Sequence, residues 1–104
     1  MAHISIACYR PKPGQDAALE PLVRDHVERL RGFGLVTDRA PIIGKAKDGT
    51  FVEVFEWKST EAIEQAHHHP GVHTMWAEFG EVCDYVAFGS LAEAQDMFAG
   101  LTPL

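Results

Sequence analysis

The hydrophobic positions change period several times along the chain, and each period predicts one element. Residues 3–9 alternate, with Ile4, Ile6 and Cys8 on one side, which predicts a β-strand that stops at Pro11. Residues 19–30 instead repeat at helical spacing and predict an amphipathic helix. The apolar stripe of that helix consists of Leu19, Leu22, Val23, Val27 and Leu30.

Residues 36–58 have the pattern of a β-hairpin. Asp48-Gly49 separates two apolar segments, 41–45 and 51–57, and predicts a two-residue turn because glycine accepts the positive φ that such turns need. Ser59 is then a good N-cap for a second helix. We expect Pro70-Gly71 to interrupt this helix.

The last third of the chain predicts a further helical piece, a strand and a tail. Apolar residues from Val72 to Phe79 keep helical spacing, and residues 84–88 predict a short final strand. Ser90 and Glu93 form a capping-box pattern, so residues 91–99 are predicted to form a terminal helix or arm. Residues 91–104 would then be a C-terminal helical tail.

The resulting order, β-α-β-β-α-β plus a tail, predicts an α+β fold of the ferredoxin-like type. Its four-stranded antiparallel sheet would have the strand order 4-1-3-2, with the helices on one face. The other face would carry Tyr9 with Phe51, Phe55 and Trp57, or their neighbours if the faces are reversed. Either choice exposes many large apolar groups, which predicts a homodimer through the sheet face.

Composition limits the class of protein and its partners. A chain of 104 residues is expected to form one domain, 1–104. Its content of 46% hydrophobic and 23% charged residues is typical of a globular protein. The net charge of −6, with basic residues scattered along the chain, argues against a nucleic acid or an anionic membrane as partner. The start of the chain lacks the pattern of a signal peptide, so we expect a cytoplasmic protein.

Two cysteines do not make a disulfide framework. Cys8 and Cys83 are expected to be buried thiols. Because the first and last strands are neighbours in the predicted sheet, the two thiols are also expected to lie near each other.

Three segments together resemble the dimeric α/β-barrel superfamily, and within it the antibiotic biosynthesis monooxygenase-like domains. They are the opening strand running into Arg10-Pro11-Lys12-Pro13-Gly14, the run Phe55-Glu56-Trp57-Lys58-Ser59, and Ala66-His67 followed by Pro70 and Trp76. The resemblance covers about residues 3–90. It implies that two sheets form a barrel across a twofold axis, with a small-molecule cleft between sheet and helices in each subunit.

The resemblance also implies an activity. The superfamily includes oxygenases, isomerases, haem-degrading enzymes and many proteins of unknown role. The resemblance therefore implies a cofactor-independent oxygenase that acts on a small aromatic or polyketide-like substrate, or a non-catalytic small-molecule-binding or stress-response protein of the same fold. An isomerase or lyase that uses a histidine base is a further alternative. These functions stay open at this point. The haem-degrading branch uses an Asn, a Trp and a His, whereas this chain has no asparagine.

Histidines are the first candidates for chemistry. His26 interrupts the apolar stripe of the first helix, where an imidazole needs a hydrogen-bond partner or a cavity. The resemblance places His67 on a histidine that family members often keep. His26 and His67 are therefore the predicted catalytic residues. The alternative is that His26 is a core histidine and His67 a helix-end histidine. His69 and His73 have the i, i+4 spacing of metal ligands, but Pro70 between them argues against a common helix face, and no metal is predicted.

Aromatic and acidic residues are the second set of candidates. Tyr9, Trp57 and Trp76 are predicted to shape an apolar pocket for a small hydrophobic or aromatic molecule, or else to pack in the core or a dimer interface. Glu53 and Glu56 interrupt the best strand and point to opposite faces. A carboxylate in a cleft can bind substrate or act as a base, so Glu56 is included in the predicted site. The alternative is that each glutamate pairs with a cation such as Arg39, Lys45 or Lys58.

Overall fold

Strands and helices follow one another in the order that the hydrophobic pattern predicts. The computed structural model describes residues 1–104. The elements are β1 (His3–Pro11), α1 (Asp16–Gly32), β2 (Ile42–Lys45), β3 (Phe51–Trp57), α2 (Thr60–Ala66), α3 (Pro70–Val82), β4 (Cys83–Val86) and β5 (Thr102–Pro103). No helix combines the length and the apolar character that crossing a membrane requires.

The strands form one antiparallel sheet with the order β4-β1-β3-β2-β5. The first four strands have the predicted order 4-1-3-2. The prediction of four strands is wrong by one, because the last residues of the chain pair with β2 as an edge strand: Gly44 lies opposite Pro103, and Lys45 opposite Thr102. A two-residue strand that includes proline has no sequence pattern of its own, which is why it was not foreseen.

All three helices pack on one face of the sheet, and alternation along β1 and β3 decides which residues they cover. Tyr9, Phe51, Phe55 and Trp57 lie beneath the helices and are buried. The reversed assignment of faces is therefore the observed one. The core between sheet and helices is completed by the apolar stripe of α1 and by residues of α3, the most deeply buried being Leu19, Val23, Leu30, Val72, Met75 and Phe79.

The tail is not the helix that the capping-box pattern predicts. It forms two 3₁₀ turns, Phe88–Ser90 and Ala92–Gln95, before it reaches β5. The capping box is absent because Ser90 Oγ donates to the Ala87 carbonyl and the Glu93 carboxylate accepts from Lys47 N. The tail thereby covers part of the outer sheet face, where Leu91 packs against Cys8, Ala46 and Val52 of its own chain.

The turn between β2 and β3 is one residue longer than predicted. Ala46 N donates to the Thr50 carbonyl, and Gly49 N donates to the Ala46 carbonyl, so three residues form the loop. Gly49 has a φ of 93°, the left-handed conformation that closes such a loop at low cost only with glycine.

The two cysteines do not lie together. Cys8 is opposite Val86 and Cys83 is opposite Pro11 in the β1–β4 ladder, three positions apart along the strand. Cys83 belongs to the core beneath the helices, whereas Cys8 belongs to the cluster under the tail. An odd number of positions places the thiols on opposite faces of the sheet, which corrects the expectation that they are near each other.

The helical pattern breaks at Pro70, as predicted, and His69 begins the new helix. His69 Nδ1 accepts hydrogen bonds from Gly71 N and Val72 N, at 3.0 and 3.3 Å. Its ring also packs on Phe33, with centroids 4.5 Å apart. The imidazole therefore acts as the N-cap of α3, and proline occupies the first turn, where its missing N–H costs nothing.

We predict that His69→Ala lowers the free energy of unfolding by about 1 kcal/mol, because two N–H groups lose their acceptor. His69→Asn is the matched variant: it removes the ring but keeps a good capping side chain. Urea denaturation followed by circular dichroism should therefore give the order wild type, then His69→Asn, then His69→Ala. Equal losses in the two variants would show that packing on Phe33, and not capping, is what His69 contributes.

Candidate functional site

A cavity of about 250 Å³ lies between the sheet and the helices. Three strands and all three helices contribute to its wall, and most of the wall is apolar. The lining residues are Ser5, Ala7 and Tyr9 from β1, His26 from α1, Phe55 and Trp57 from β3, Ile63 from α2, Trp76 from α3 and Tyr85 from β4. Of the predicted site residues, the cavity thus brings together His26, Tyr9, Trp57 and Trp76.

Behind the cavity wall, three polar side chains form a buried hydrogen-bonded cluster. The Glu53 carboxylate is 0% exposed, and its Oε1 accepts a hydrogen bond from Tyr9 OH at 2.8 Å. His26 Nδ1 lies 2.7 Å from the same oxygen. Because a carboxylate only accepts, Nδ1 of the ring carries the hydrogen and donates it.

The other imidazole nitrogen, Nε2 of His26, has no partner within the chain. His26 is only 5% exposed. The fully buried side-chain polar atoms without a hydrogen-bond partner belong to Thr50 and Glu53. Nε2 also has no partner but is not fully buried, so the exposed part of the ring includes this nitrogen. Phe55 and Phe79 hold the ring edge-on, with centroids 5.3 and 5.4 Å away. A fixed imidazole with a free lone pair at a cavity can accept a proton.

Both tyrosines at the cavity are held as neutral phenols. Burial, followed by the charge of Glu53 and the hydrogen bond to it, raises the pKa of Tyr9 well above its usual value. Burial, with a smaller contribution from Cys83, raises the pKa of Tyr85 to about 12. Tyr9 therefore stays a hydrogen-bond donor to Glu53 at any physiological pH.

Trp57 and Trp76 supply flat apolar surface. The indole N–H of Trp57 donates to Ser5 Oγ at 3.0 Å, so this polar group is already satisfied within the wall. Trp76 packs edge-on against His67, with centroids 5.4 Å apart. The wall is completed by five residues that sequence analysis did not select as site residues: Ser5, Ala7, Phe55, Ile63 and Tyr85.

Two of the predicted site residues lie elsewhere. His67 is exposed at the end of α2, and its Nδ1 donates to the Ile63 carbonyl at 2.8 Å. Glu56 points to the outer face of β3, where it accepts from Thr37 Oγ1 at 2.9 Å and lies 3.3 Å from Arg39. Neither side chain lines the cavity, and each makes a contact of the kind that the sequence left open beside the functional role.

The histidine pair with metal-ligand spacing is also engaged by the backbone. His69 caps α3, and His73 Nε2 bonds to the His67 carbonyl. No group of three or more His, Cys, Asp or Glu side chains is placed to hold a metal ion.

Glu53 lies next to the cavity, but the sequence analysis did not include it in the predicted site. The signal was present in the sequence: alternation along residues 51–57 places Glu53 on the same face as Phe51, Phe55 and Trp57. A charge among aromatic residues on a buried face requires a partner beneath the helices. That partner is His26, one of the residues the helical pattern singled out.

The two tyrosines give a testable pH dependence, since the chain contains no others. Tyrosine in an unfolded chain ionises near pH 10, whereas in the folded protein burial raises the pKa of Tyr85 to about 12 and raises the pKa of Tyr9 well above its usual value. Between these values the unfolded state binds fewer protons, so the free energy of unfolding falls as pH rises. We predict no tyrosinate absorbance near pH 10 while the protein is folded, and a normal titration in urea. A folded protein with half its tyrosinate signal at pH 10 would contradict this.

Comparison with known proteins shows a fold and no family. No family model matches the chain, and no curated protein matches it significantly. Among solved structures, the chain is similar to that of Rv0793 from Mycobacterium tuberculosis, with a TM-score of 0.62 and 20% identity. The match covers 84% of this chain and 94% of the other. At this identity the likeness establishes that the two chains share an α+β architecture.

Proposed function

We propose that the protein is an antibiotic biosynthesis monooxygenase-like enzyme that oxygenates a small aromatic or polyketide-like substrate in the cavity. The observation that carries the proposal is the free Nε2 of His26 at a cavity whose wall is largely aromatic. In this proposal His26 is the general base. Tyr9, Trp57 and Trp76 form the wall around the substrate, and His67 and Glu56 have no part because they lie outside the cavity.

The composition of the wall favours a neutral substrate. No lysine or arginine lines the cavity, so a bound carboxylate or phosphate would find no cation. The aromatic side chains Phe55, Trp57, Trp76 and Tyr85 suit flat rings, by stacking or edge contacts. A neutral ring compound with an acidic C–H or O–H fits both conditions, because it becomes charged only when it transfers its proton to His26.

The proposed reaction begins with that proton transfer. Removal of a proton from a carbon next to a carbonyl, or conjugated with one through an aromatic ring, leaves an electron-rich enolate, which passes one electron to O₂ and then combines with the superoxide formed. The resulting peroxide anion takes the proton back from His26, and the hydroperoxide then loses water and leaves a new carbonyl group. For a CH₂ group the balance is one CH₂ and one O₂ giving one C=O and one H₂O, with all electrons supplied by the substrate.

A non-catalytic binding protein is the second candidate. The observation that favours it is that only one of the two predicted catalytic histidines lies at the cavity, while the other is bonded to the end of its own helix. Binding without oxygen consumption distinguishes this candidate from the enzyme. Both tryptophans of the chain line the cavity, so intrinsic fluorescence reports whether it is occupied.

Anthrone, with three fused rings and a CH₂ group that lies between two aromatic rings and is conjugated through them with the carbonyl on the opposite side of the central ring, is a suitable first probe. We predict that anthrone quenches the tryptophan fluorescence and that the protein accelerates O₂ uptake and anthraquinone formation. His26→Gln should lower the rate by about 100-fold or more, the usual contribution of a general base, with little change in quenching. His68→Gln is the matched control, since His68 is exposed and bonded only to Glu64.

Two results would contradict the proposal that His26 drives an oxygenation. Quenching without O₂ uptake above the uncatalysed rate would favour the binding protein. O₂ uptake that His26→Gln leaves unchanged would show that the cavity base is not used. A large loss in His67→Gln would return that histidine to the site that the sequence predicted.

We further propose that the sheet is the ferredoxin-like half of a dimeric α/β barrel. Ile6, Val54 and Ile42 lie in one row across three strands on the outer face, beyond the part that the tail covers. Ile4, Ile6 and Ile42 are 60%, 52% and 74% exposed. A second copy of the same face would remove this row from water and bury apolar area on both sides.

We predict that light scattering at micromolar concentration gives twice the chain mass of 11.5 kDa. Ile6→Glu places one negative charge from each copy at the proposed interface, and the repulsion between them should give a monomer. Ala77→Glu adds the same charge on the exposed side of α3 and should leave the dimer intact. A wild-type monomer, or a dimer that tolerates Ile6→Glu, would rule out this face as the interface.

A further inference from the structure

Glu53 is a carboxylate in a place where a carboxylate is costly. It is fully buried, and its only ionisable ion-pair partner is His26. Oε1 accepts two hydrogen bonds, whereas Oε2 is sealed from solvent and has no partner. An apolar side chain of similar volume would serve the core at least as well. The reason for a carboxylate at this position therefore lies in its effect on the groups that it contacts.

We infer that Glu53 is a positioning residue for His26, whose Nε2 it keeps free of hydrogen and directed to the cavity as a proton acceptor. The 2.7 Å bond from Nδ1 fixes both the ring and the tautomer. Tyr9 holds the carboxylate from the other side at 2.8 Å. This inference rests on the proposed function, because a free Nε2 matters only if a substrate delivers a proton to it.

The charge of Glu53 also stabilises what the reaction would form. With a neutral ring, the buried pair carries one negative charge; when Nε2 takes a proton, imidazolium and carboxylate become a neutral pair. The other titratable groups nearby are Tyr9 on β1 and Tyr85 and Cys83 on β4, which burial keeps protonated at neutral pH. From α3 the ring meets only the uncharged Phe79.

Tyr9 determines what happens when the carboxylate is removed. Its hydroxyl lies 3.4 Å from His26 Nδ1, a distance that a small shift converts to a hydrogen bond. In Glu53→Leu the Tyr9 hydroxyl has no other acceptor and donates to Nδ1. The hydrogen of the ring then moves to Nε2, and the face towards the cavity changes from acceptor to donor.

The experiment is to record nitrogen–proton correlation spectra of the His26 ring without substrate, raising the pH until the ring is neutral. The wild type should carry its hydrogen on Nδ1, and Glu53→Leu should carry it on Nε2. Adding Tyr9→Phe to Glu53→Leu removes the donor and should give a mixture of both tautomers. Glu93→Leu, which removes the other buried glutamate near the tail, should leave the His26 spectrum unchanged.

Activity is measured beside the spectra. With anthrone, Glu53→Leu should lower kcat by about 100-fold or more and leave KM nearly unchanged, since Glu53 does not line the cavity. If Glu53→Leu fails to fold, Glu53→Met, an unbranched apolar side chain of similar length, should give the same change of tautomer as predicted for Glu53→Leu.

The spectra test the positioning role of Glu53, and the activity tests the proposed reaction, so each can be contradicted without the other. An unchanged tautomer in Glu53→Leu, or in Glu53→Met where Glu53→Leu does not fold, would overturn the positioning role whether or not anthrone reacts. A tautomer change in a protein that does not consume O₂ with anthrone would support the positioning role and reject the proposed reaction.

Discussion

Burial of one carboxylate, that of Glu53, constrains the cavity more than any other interaction. A buried carboxylate needs donors, and here they come from the phenol of Tyr9 on β1 and the imidazole of His26 on α1. Those two donors must sit at the centre of the layer between sheet and helix, where apolar residues would otherwise be expected. The position of α1 over the sheet is thereby tied to two hydrogen bonds as well as to its apolar stripe.

The same cluster explains why the space beside it is not filled. Nδ1 of His26 is used by Glu53, so Nε2 needs solvent or a ligand within reach. Large aromatic rings surround this nitrogen and hold its ring in place, which leaves an opening of about 250 Å³. A cavity with one acceptor and an otherwise apolar wall favours ligands that are flat and neutral and carry one acidic hydrogen.

Local patterns predicted the elements, and contacts between distant residues decided what the patterns left open. Alternation in residues 3–9 and 51–57 predicted two central strands, and the strand order followed from the sequence of elements. The same alternation could not say which face the helices cover. His26, Tyr9, Trp57 and Trp76 were selected because each is an unusual residue in a regular pattern, and these four do line the cavity.

What the sequence could not predict is which of the available partners each polar side chain contacts. His67 and Glu56 have the residue types of a site, but a carbonyl one turn away and the pair Thr37 and Arg39 engage them. The tail has a helix-start pattern at Ser90 and Glu93, yet Glu93 bonds to the backbone of Lys47. That contact and the pairing of β5 with β2 outweigh the weak helical preference of a short segment.

Alternation along β1 also places the cavity and the proposed dimer interface on opposite faces of the sheet. Ser5, Ala7 and Tyr9 face the cavity, while Ile4 and Ile6 between them face outward. A partner on the outer face would affect the cavity through β1, because a strand buried on both faces has less freedom to twist or slide than one exposed on one side. Association would therefore act on the site by restraining Tyr9, and through it Glu53 and His26.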